Sequence, residues 1–148
     1  MSLNPMVPFF SDDDRLLDTL QRLVILPSVE LRPTLDEASS LVADVLGADK
    51  VDVFLYEADK DSLVALGTSD TPLGRKQREL GLDRFQRANA GPLTGVFETG
   101  AIYHTGHADH ADQDASQPRG VVESLGVRSQ IDVPLDVNAE RRGGLSVV

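Results

Sequence analysis

In KVDVFLYE, Lys50–Glu57, the character of the side chains alternates with a period of two. One side of the extended chain carries aliphatic residues, Val51, Val53 and Leu55. The other side carries a carboxylate and two aromatic rings, Asp52, Phe54 and Tyr56. Large side chains on both sides predict a strand that is buried on both faces. A polar turn at residues 58–61 and a returning strand at Ser62–Thr68 complete a predicted hairpin.

Two amphipathic helices are predicted before this hairpin. Ser11 is followed by three aspartates, a composition typical of a helix N-terminus, and we expect the first helix to run to about Leu26. Its apolar stripe would be Leu16, Leu20, Leu23 and Val24. The second helix is predicted to begin near Thr34, which has capping-box spacing to Glu37, and to end at Gly47.

Regular patterns return in the second half of the chain. Residues 91–100, GPLTGVFETG, predict a short helix, and a strand is expected at Ala101–His104. Alternation over Ile131–Val137, a turn over Asn138–Gly144 and a strand from Leu145 predict a final hairpin. Pro134 has no N–H group, so it predicts a bulge or an unpaired position. The pattern is that of an α+β domain with a central antiparallel sheet of about five to six strands.

Composition restricts the classes of function. The 148 residues suit one domain, which we place at 11–148, and we expect residues 1–10 to be disordered or derived from expression. A formal charge of -10 argues against nucleic acid and anionic membranes as partners. No apolar run approaches the roughly 20 residues of a membrane span, and a cytoplasmic location is expected. The absence of cysteine excludes thiolate nucleophiles and thioether-linked chromophores.

All three histidines lie in YHTGHADHAD, residues 103–112. His104, His107 and His110, with Asp109 or Asp112, have the ligand types of a zinc site. The small polar residues around them favour a solvated loop with one histidine facing a pocket, so we assign no metal site. His104 is also the candidate for a single axial haem ligand, against the simpler interpretation of a histidine hydrogen-bonded at a strand end.

Five basic residues cluster in an otherwise acidic chain, at Arg75, Lys76, Arg78, Arg84 and Arg87. Guanidinium groups there would suit a carboxylate or phosphate ligand. The alternative, which we favour, is a solvated charged surface. No phosphate-binding glycine-lysine loop and no nucleophile elbow is present, so the domain itself is not expected to be an enzyme.

Four stretches, in this order and spacing, resemble a GAF domain, the small-molecule sensing module of signalling proteins. They are KVDVFLYE at 50–57, GPLTGVFETGAIY at 91–103, GVRSQIDVPL at 126–135 and GGLSVV at 143–148. The resemblance extends from about Asp12 to Val148. Members of the family usually continue into a C-terminal helix, which this sequence lacks.

The resemblance implies N-terminal helices on one face of the sheet and a lid of loops and short helices, residues 69–125, over a ligand pocket on the other. It assigns the pocket to Asp52, Phe54, Tyr56, Phe85, Leu93, Phe97, Tyr103, His104, Gln130 and Asp132. The implied function is a non-catalytic regulatory sensor domain of a bacterial signal-transduction protein, such as a sensor histidine kinase. Its expected partners are an unidentified small molecule and a second copy bound through the N-terminal helices, without a cofactor.

Two alternatives remain open at this point. One is a homodimerisation or interaction module that binds no small molecule, which a cavity filled by aromatic side chains would favour. The other is a haem or metal sensor that uses His104.

Overall fold

The computed structural model describes residues 11–24, 26, 30–106 and 125–148. Within these ranges the helices are α1 (Asp12–Val24), α2 (Leu31–Leu46), α3 (Pro72–Glu79) and α4 (Pro92–Thr99). The strands are β1 (Val51–Glu57), β2 (Ser62–Thr68), β3 (Arg84–Gln86), β4 (Tyr103–Thr105), β5 (Gln130–Val137) and β6 (Glu140–Val147). Residues 1–10 and His107, Asp109, His110 and Asp112 of the histidine stretch lie outside the described residues.

The strands form one antiparallel sheet in the order β3-β2-β1-β6-β5-β4. β1 and β6 lie at its centre, where Val51 pairs with Val147 and Leu55 pairs with Gly143. The expected α+β class and the antiparallel sheet are confirmed. The two predicted hairpins are β1-β2 and β5-β6, so the stretches with the clearest alternation form four of the strands.

The N-termini of the first two helices differ in how they are capped. Ser11 Oγ accepts from the backbone N–H of Asp14 at 3.2 Å, and Asp14 Oδ2 accepts from the backbone N–H of Ser11 at 3.2 Å. α2 begins three residues before the predicted Thr34, whose hydroxyl donates to the carbonyl of Glu30 at 2.7 Å. The predicted capping box was therefore wrong. The helix can begin before Pro33, because a proline in the first helical turn lacks only an N–H group that would have no partner within the helix.

α2 covers one face of the sheet, over β1 and β2, and we call this the α2 face. Its buried residues are small, Ser39 and Ala43. Gly67 of β2 lies under the helix, where an added Cβ would be 2.6 Å from the Cβ of Leu35. Small side chains on both elements therefore bring helix and sheet into close contact.

α3 and α4 lie at the opposite face, which we call the α4 face. α4 packs over β5 and β6, and an added Cβ on Gly144 would be 2.5 Å from Cδ1 of Leu93. α3 reaches the same face through Gln77, which donates to Asp52. Helices on one face and short helices on the other agree with the predicted arrangement, as far as the described residues extend.

The final hairpin corrects two details of the prediction. Its turn is Asn138-Ala139 alone, both with positive φ (53° and 62°), so β6 begins at Glu140 and includes the two glycines. Pro134 stays in register opposite Gly144, and the bulge follows one residue later, between Leu135 and Asp136. Position 143 of the strand requires glycine, because an added Cβ there would lie 1.8 Å from the carbonyl oxygen of Phe54.

α1 leaves most of its apolar stripe uncovered. Leu16, Leu20 and Val24 are 45%, 59% and 83% exposed, and Thr19 is its one buried residue. None of the helices described has both the length and the apolar character required to cross a bilayer.

Candidate functional site

Polar residues form a row across the α4 face of the sheet. Paired residues of antiparallel strands share a face, and the register places Thr68 beside Asp52, Asp52 beside Ser146, and Ser146 beside Asp132. Tyr103 of β4 continues the row beyond Asp132. Five neighbouring strands thus each contribute one polar residue at the same level of the sheet, and we call these five residues the polar row.

Asp52 is the most fully bonded member of the row. Its side chain is completely buried, and its Oδ1 accepts from Thr68 Oγ1 at 2.8 Å and from Gln77 Nε2 at 3.0 Å. Its Oδ2 accepts from the ammonium group of Lys50, which is also buried. A buried carboxylate requires such partners. Without them, the loss of its hydration on burial would cost on the order of several kcal/mol.

Asp132 lies two strands away in a different environment. Its side chain is also completely buried, and Oδ2 accepts from Gln130 Nε2 at 2.7 Å. Among the described residues, Oδ1 has no hydrogen-bond partner and the carboxylate has no ion pair. Burial raises the pKa of Asp132 to about 6, and the Ser146 hydroxyl, the Gln130 amide and Lys50 oppose this rise. One buried ammonium group therefore accompanies two buried carboxylates.

An apolar cluster adjoins the polar row on the same face. Phe54 follows Asp52 by two residues and packs with Leu63, Ala65, Ala90 and Leu93, while Tyr56, Phe85 and Phe97 border this core. The ring centroids of Phe54 and Phe85 are 6.0 Å apart, and those of Tyr56 and Phe97 are 4.7 Å apart. The aromatic residues of β1, β3 and α4 thus fill the sheet surface beneath α4.

A network of ion pairs and hydrogen bonds lies at the edge of this apolar cluster. The hydroxyl of Tyr56 donates to Asp61 Oδ1 at 2.6 Å, and this bond is the main cause of a raised pKa of Tyr56. Arg87 donates to the same carboxylate from Nε at 2.8 Å and pairs with Glu98 of α4. The Arg87 bond, followed by that of Tyr56, lowers the pKa of Asp61. The network joins the β1-β2 turn to α4.

Most of the five clustered basic residues form ion pairs with carboxylates of the same chain. Arg75 bonds Asp70 at 2.7 Å, Arg78 bonds Asp36 at 2.5 Å, and Arg84 bonds Glu57 at 2.6 Å. The Arg84 bond is the first cause of a lowered pKa of Glu57. These pairs favour the interpretation as a charged surface, because guanidinium groups bound to internal carboxylates are less available to an anionic ligand.

Nine of the ten residues assigned to the pocket lie on the α4 face, spread from β3 at one edge of the sheet to β4 at the other. They are Asp52, Phe54, Tyr56, Phe85, Leu93, Phe97, Tyr103, Gln130 and Asp132. The tenth, His104, pairs with Ile131 and is exposed on the α2 face. There it lines a groove of about 540 Å³ with Leu46 and Val147. Gln130 also lines this groove, but the structure does not place His104 on the α4 face with Asp52, Phe54 and Asp132.

Three bonding partners of Asp52, and the serine that pairs with it on β6, were not among the assigned residues. They are Lys50, Thr68, Gln77 and Ser146. The period of two that identified Asp52 also places Lys50 on the same face, so this residue was within reach of the pattern. Gln77 was not, because residues 69–90 show no single period. The residues described contain no group of three or more His, Cys, Asp or Glu placed to hold a metal ion.

No protein-family model matches the sequence, and a search of curated proteins finds no match. Solved structures do match. The nlh2 GAF domain of A. aeolicus in an inactive state superposes with a TM-score of 0.71 at 13% identity, covering 93% of this chain and 80% of that one. Free methionine-R-sulfoxide reductase from Neisseria meningitidis, in complex with its substrate, gives 0.69 at 18% identity, covering 92% and 71%.

A third similar structure is the phycocyanobilin-bound GAF domain from a cyanobacterial phytochrome. Its TM-score is 0.65 at 19% identity, and the match covers 93% of this chain and 79% of that one. Identities this low establish a shared fold and leave activity and ligands to be argued from the site itself. With its six-stranded antiparallel sheet, α2 on one face and α4 on the other, this chain has the fold of the GAF domains.

Proposed function

We propose that the domain is a regulatory sensor that binds a small molecule on the α4 face of its sheet. The observation that carries this proposal is the polar row with the apolar cluster beside it. Asp52 and Asp132 are both completely buried, and Asp132 Oδ1 has no partner among the described residues. A few convergent polar groups beside aromatic and aliphatic side chains are the usual composition of a ligand site.

A chain of hydrogen bonds supports communication between this site and α2. Asp52 Oδ1 accepts from the Thr68 hydroxyl, and the backbone N–H of Thr68 donates to Asp36 of α2 at 2.9 Å. Arg78 of α3 donates to the same Asp36 oxygen at 2.5 Å. A ligand that binds one arrangement of these groups better than another would shift the population of α2 positions. We infer that occupancy reaches an output domain through α1 and α2.

The parent protein, on this proposal, is a bacterial signalling protein such as a sensor histidine kinase, and the domain acts in the cytoplasm. Two of the similar structures hold a small molecule, a bilin in one and a substrate in the other. The sequence has no cysteine for covalent catalysis, and the charge of -10 disfavours nucleic acid and anionic membrane surfaces as partners. The domain is accordingly proposed to be non-catalytic.

Native mass spectrometry of the protein purified from its own host tests the binding step. We expect a retained small molecule of defined mass that is lost on denaturation. Hydrogen exchange then tests the coupling, and we expect saturation with that molecule to slow exchange in α2. Finding no retained molecule, and no change in α2 exchange with any host metabolite extract, would contradict the proposal.

Thr68→Val provides a sharper test of the path to α2. It removes the hydroxyl that bonds Asp52 and keeps the size and shape of the side chain. The ligand effect on α2 exchange should diminish more than the affinity for the ligand does, since the altered hydroxyl also belongs to the polar row. Thr99→Val is the matched control, because Thr99 bonds the carbonyl of Gly95 on the exposed surface of α4.

Two observations favour homodimerisation as a second candidate function. Aromatic side chains fill the sheet surface beneath α4, as expected of a module that binds no small molecule. α1 exposes Leu16, Leu17, Leu20 and Val24, and unpaired apolar helix faces are a common route to symmetric dimers. Such a dimer is compatible with sensing, because α1, through which we propose that the signal leaves the domain, would lie at the dimer interface.

A further inference from the structure

The polar row holds one positive charge for two buried carboxylates. Lys50 pairs with Asp52, and both side chains are buried. Asp132 is completely buried too, and it accepts one hydrogen bond, from the neutral amide of Gln130. Its other oxygen, Oδ1, has no partner among the described residues. Ionised Asp132 therefore leaves one negative charge in the row uncompensated, whereas protonated Asp132 leaves the row neutral.

A proton corrects this imbalance without any cavity. It converts Asp132 Oδ1 from an acceptor into a donor, beside the Ser146 hydroxyl, which acts on the same carboxyl. Exchange of the proton with solvent requires only brief local opening of the fold. Burial raises the pKa of Asp132 to about 6, so the proton is gained and lost in the pH range in which histidine-based sensors work.

Loss of that proton changes the forces on Lys50. One strand, β6, separates β1 from β5, and Lys50 and Asp132 act on each other across it. Once Asp132 is ionised, the ammonium group of Lys50 is attracted by two carboxylates instead of one. Because all three groups are buried, salt and water screen this attraction little. A shift of Lys50 toward Asp132 would weaken its bond to Asp52.

Asp52 connects Lys50 to two helices. Its Oδ1 accepts from the hydroxyl of Thr68 at 2.8 Å and from the amide of Gln77, in α3, at 3.0 Å. The backbone N–H of Thr68 donates to Asp36 of α2 at 2.9 Å. When the ammonium group withdraws, Thr68 and Gln77 are the remaining donors to the Asp52 carboxylate. The positions of α2 and α3 therefore depend on where Lys50 lies.

Other ionisable groups around Asp132 do not replace the missing charge. Within the described residues, the charged groups that act on Asp132 are Lys50 and Asp52 of β1. The neighbouring strands present neutral side chains, which are Ser146 of β6, Gln130 of β5 and Tyr103 of β4. α4, which packs over β5 and β6, has one ionisable residue, Glu98, and this residue pairs with Arg87.

We propose that the domain senses protons through Asp132: the protonated form leaves Lys50 bound to Asp52, and the ionised form draws Lys50 away and alters the bonds that hold α2 and α3. This inference rests on the proposed sensor function, whose path to α2 it shares, and it gives that path an input other than a small molecule. The proton comes from solvent and returns to it, so no other reactant is needed.

Nuclear magnetic resonance of the whole chain, without any small molecule, tests the inference between about pH 4.5 and pH 8. Because histidine changes charge in this range, His104, His107 and His110 are first replaced by glutamine. The protonated fraction of Asp132 should fall from roughly nine-tenths to one-tenth between about pH 5 and pH 7. The carbon-13 shift of its carboxyl, the nitrogen-15 shift of the Lys50 ammonium group and the amide shifts of α2 and α3 should share one titration midpoint.

Three variants identify the groups responsible. Asp132→Asn keeps the shape of the side chain and has no proton to lose in this range, so α2 and α3 should no longer titrate. Asp59→Asn removes a carboxylate at an exposed position and should leave the titration unchanged. Thr68→Val removes the hydroxyl bonded to Asp52, so the Asp132 carboxyl should still titrate while the shift of the α2 amides falls at least about twofold.

An Asp132 carboxyl that stays ionised throughout this range, α2 amides that do not follow it, or an α2 titration that survives in Asp132→Asn would overturn the inference. A small molecule that slows exchange in α2, in a protein whose α2 does not titrate, would overturn it as well and leave the sensor proposal standing. Titration of α2 in a protein that retains no small molecule would support the proton input and count against the small-molecule site.

Discussion

Asp52 and Asp132 are chemically alike but are held by different means. Asp52 is bonded by an ammonium, a hydroxyl and an amide, so its negative charge is compensated within the chain. Asp132 has an amide on one oxygen and no bonding partner, among the described residues, on the other. Two carboxylates at one level of a sheet are therefore compensated to different degrees by the chain around them.

The raised pKa of Asp132 predicts a pH-dependent cost to stability. The pKa of this carboxyl is about 6 in the folded state, whereas an unfolded chain has a value of about 3.8. Protonation of the carboxyl therefore stabilises the folded state fully below about pH 4, and this contribution is lost as pH rises through 6. Relative to Asp132→Asn, the wild type should lose roughly 1–2 kcal/mol of unfolding free energy between about pH 5 and pH 8. Urea denaturation at both pH values measures this. A difference between the two proteins that does not vary with pH would contradict the shift.

Ser39 offers a test with no charge involved. This residue of α2 is completely buried, and its hydroxyl has no hydrogen-bond partner among the described residues. Ser39→Ala should leave the free energy of unfolding unchanged or raise it by up to about 1–2 kcal/mol, because an unsatisfied polar group is removed. The neighbouring Ser40→Ala should lower it by about 0.5–1 kcal/mol, since Ser40 Oγ accepts from the backbone N–H of Asp70 at 2.9 Å. Chemical denaturation distinguishes the two signs.

Among the candidate-site residues, those on strands with a clear period were the most directly predicted from the sequence. Asp52, Phe54 and Tyr56 follow from alternation in β1, and Gln130 and Asp132 follow from alternation in β5. Gln77 could not be predicted, because it reaches the row from α3, whose sequence shows no apolar repeat. The bonds among Lys50, Asp52 and Thr68 depend on strand register, which a single sequence does not specify.

α2 depends on the absence of a side chain at one position of β2. Gly67→Ala would place a Cβ 2.6 Å from the Leu35 carbonyl oxygen and Cβ, so the helix must shift. We expect a loss of about 2–3 kcal/mol of unfolding free energy. Gly95→Ala is the matched change in the exposed part of α4, where an added Cβ meets nothing within 4 Å, and it should gain about 0.5–1 kcal/mol. Similar values for both variants would contradict the close packing of α2.

α4 is held at its C-terminus by a side chain from β6. Arg141 Nη1 donates to the carbonyls of Phe97 at 2.8 Å and Val96 at 3.3 Å. Arg141→Met should lower stability by about 1–2 kcal/mol and speed hydrogen exchange in α4, because helix-end carbonyls lose their donors. Arg142→Met removes only an exposed pair with Glu140 and should cost about 0–1 kcal/mol. Unchanged α4 exchange in Arg141→Met would show that the packing of Leu93 alone holds the helix.

Boundaries were predicted well where local chemistry determines them and poorly where packing does. The left-handed Gly47 ends α2 as expected, at φ 62°. The last hairpin differs, since Gly143 and Gly144 look like turn residues but lie within β6. These glycines allow Phe54 and Leu93 to approach the strand closely. Because both residues are distant in sequence, a local pattern does not predict these contacts.

At the scale of the whole molecule, the outer stripe of α1 is an apolar surface that no other described residue covers. If this surface mediates a homodimer, Leu20→Glu should weaken association at least about tenfold, because a charge would be buried at the interface. Sedimentation equilibrium of both proteins measures the dissociation constant. Leu80→Glu, at a leucine that is 50% exposed beyond α3, is the control and should leave association unchanged. A wild-type protein that remains monomeric at high concentration would rule out this interface.

The central pairing of β1 with β6 also affects how the domain is made. Val51 must find Val147, so the middle of the sheet forms only after residue 147 has left the ribosome. Until then one edge of β1, with its aliphatic and aromatic side chains, stays open to other nascent chains and to chaperones. Pairings between such distant positions also slow folding. We therefore expect the yield of native protein in cells to depend on protection of that edge during translation.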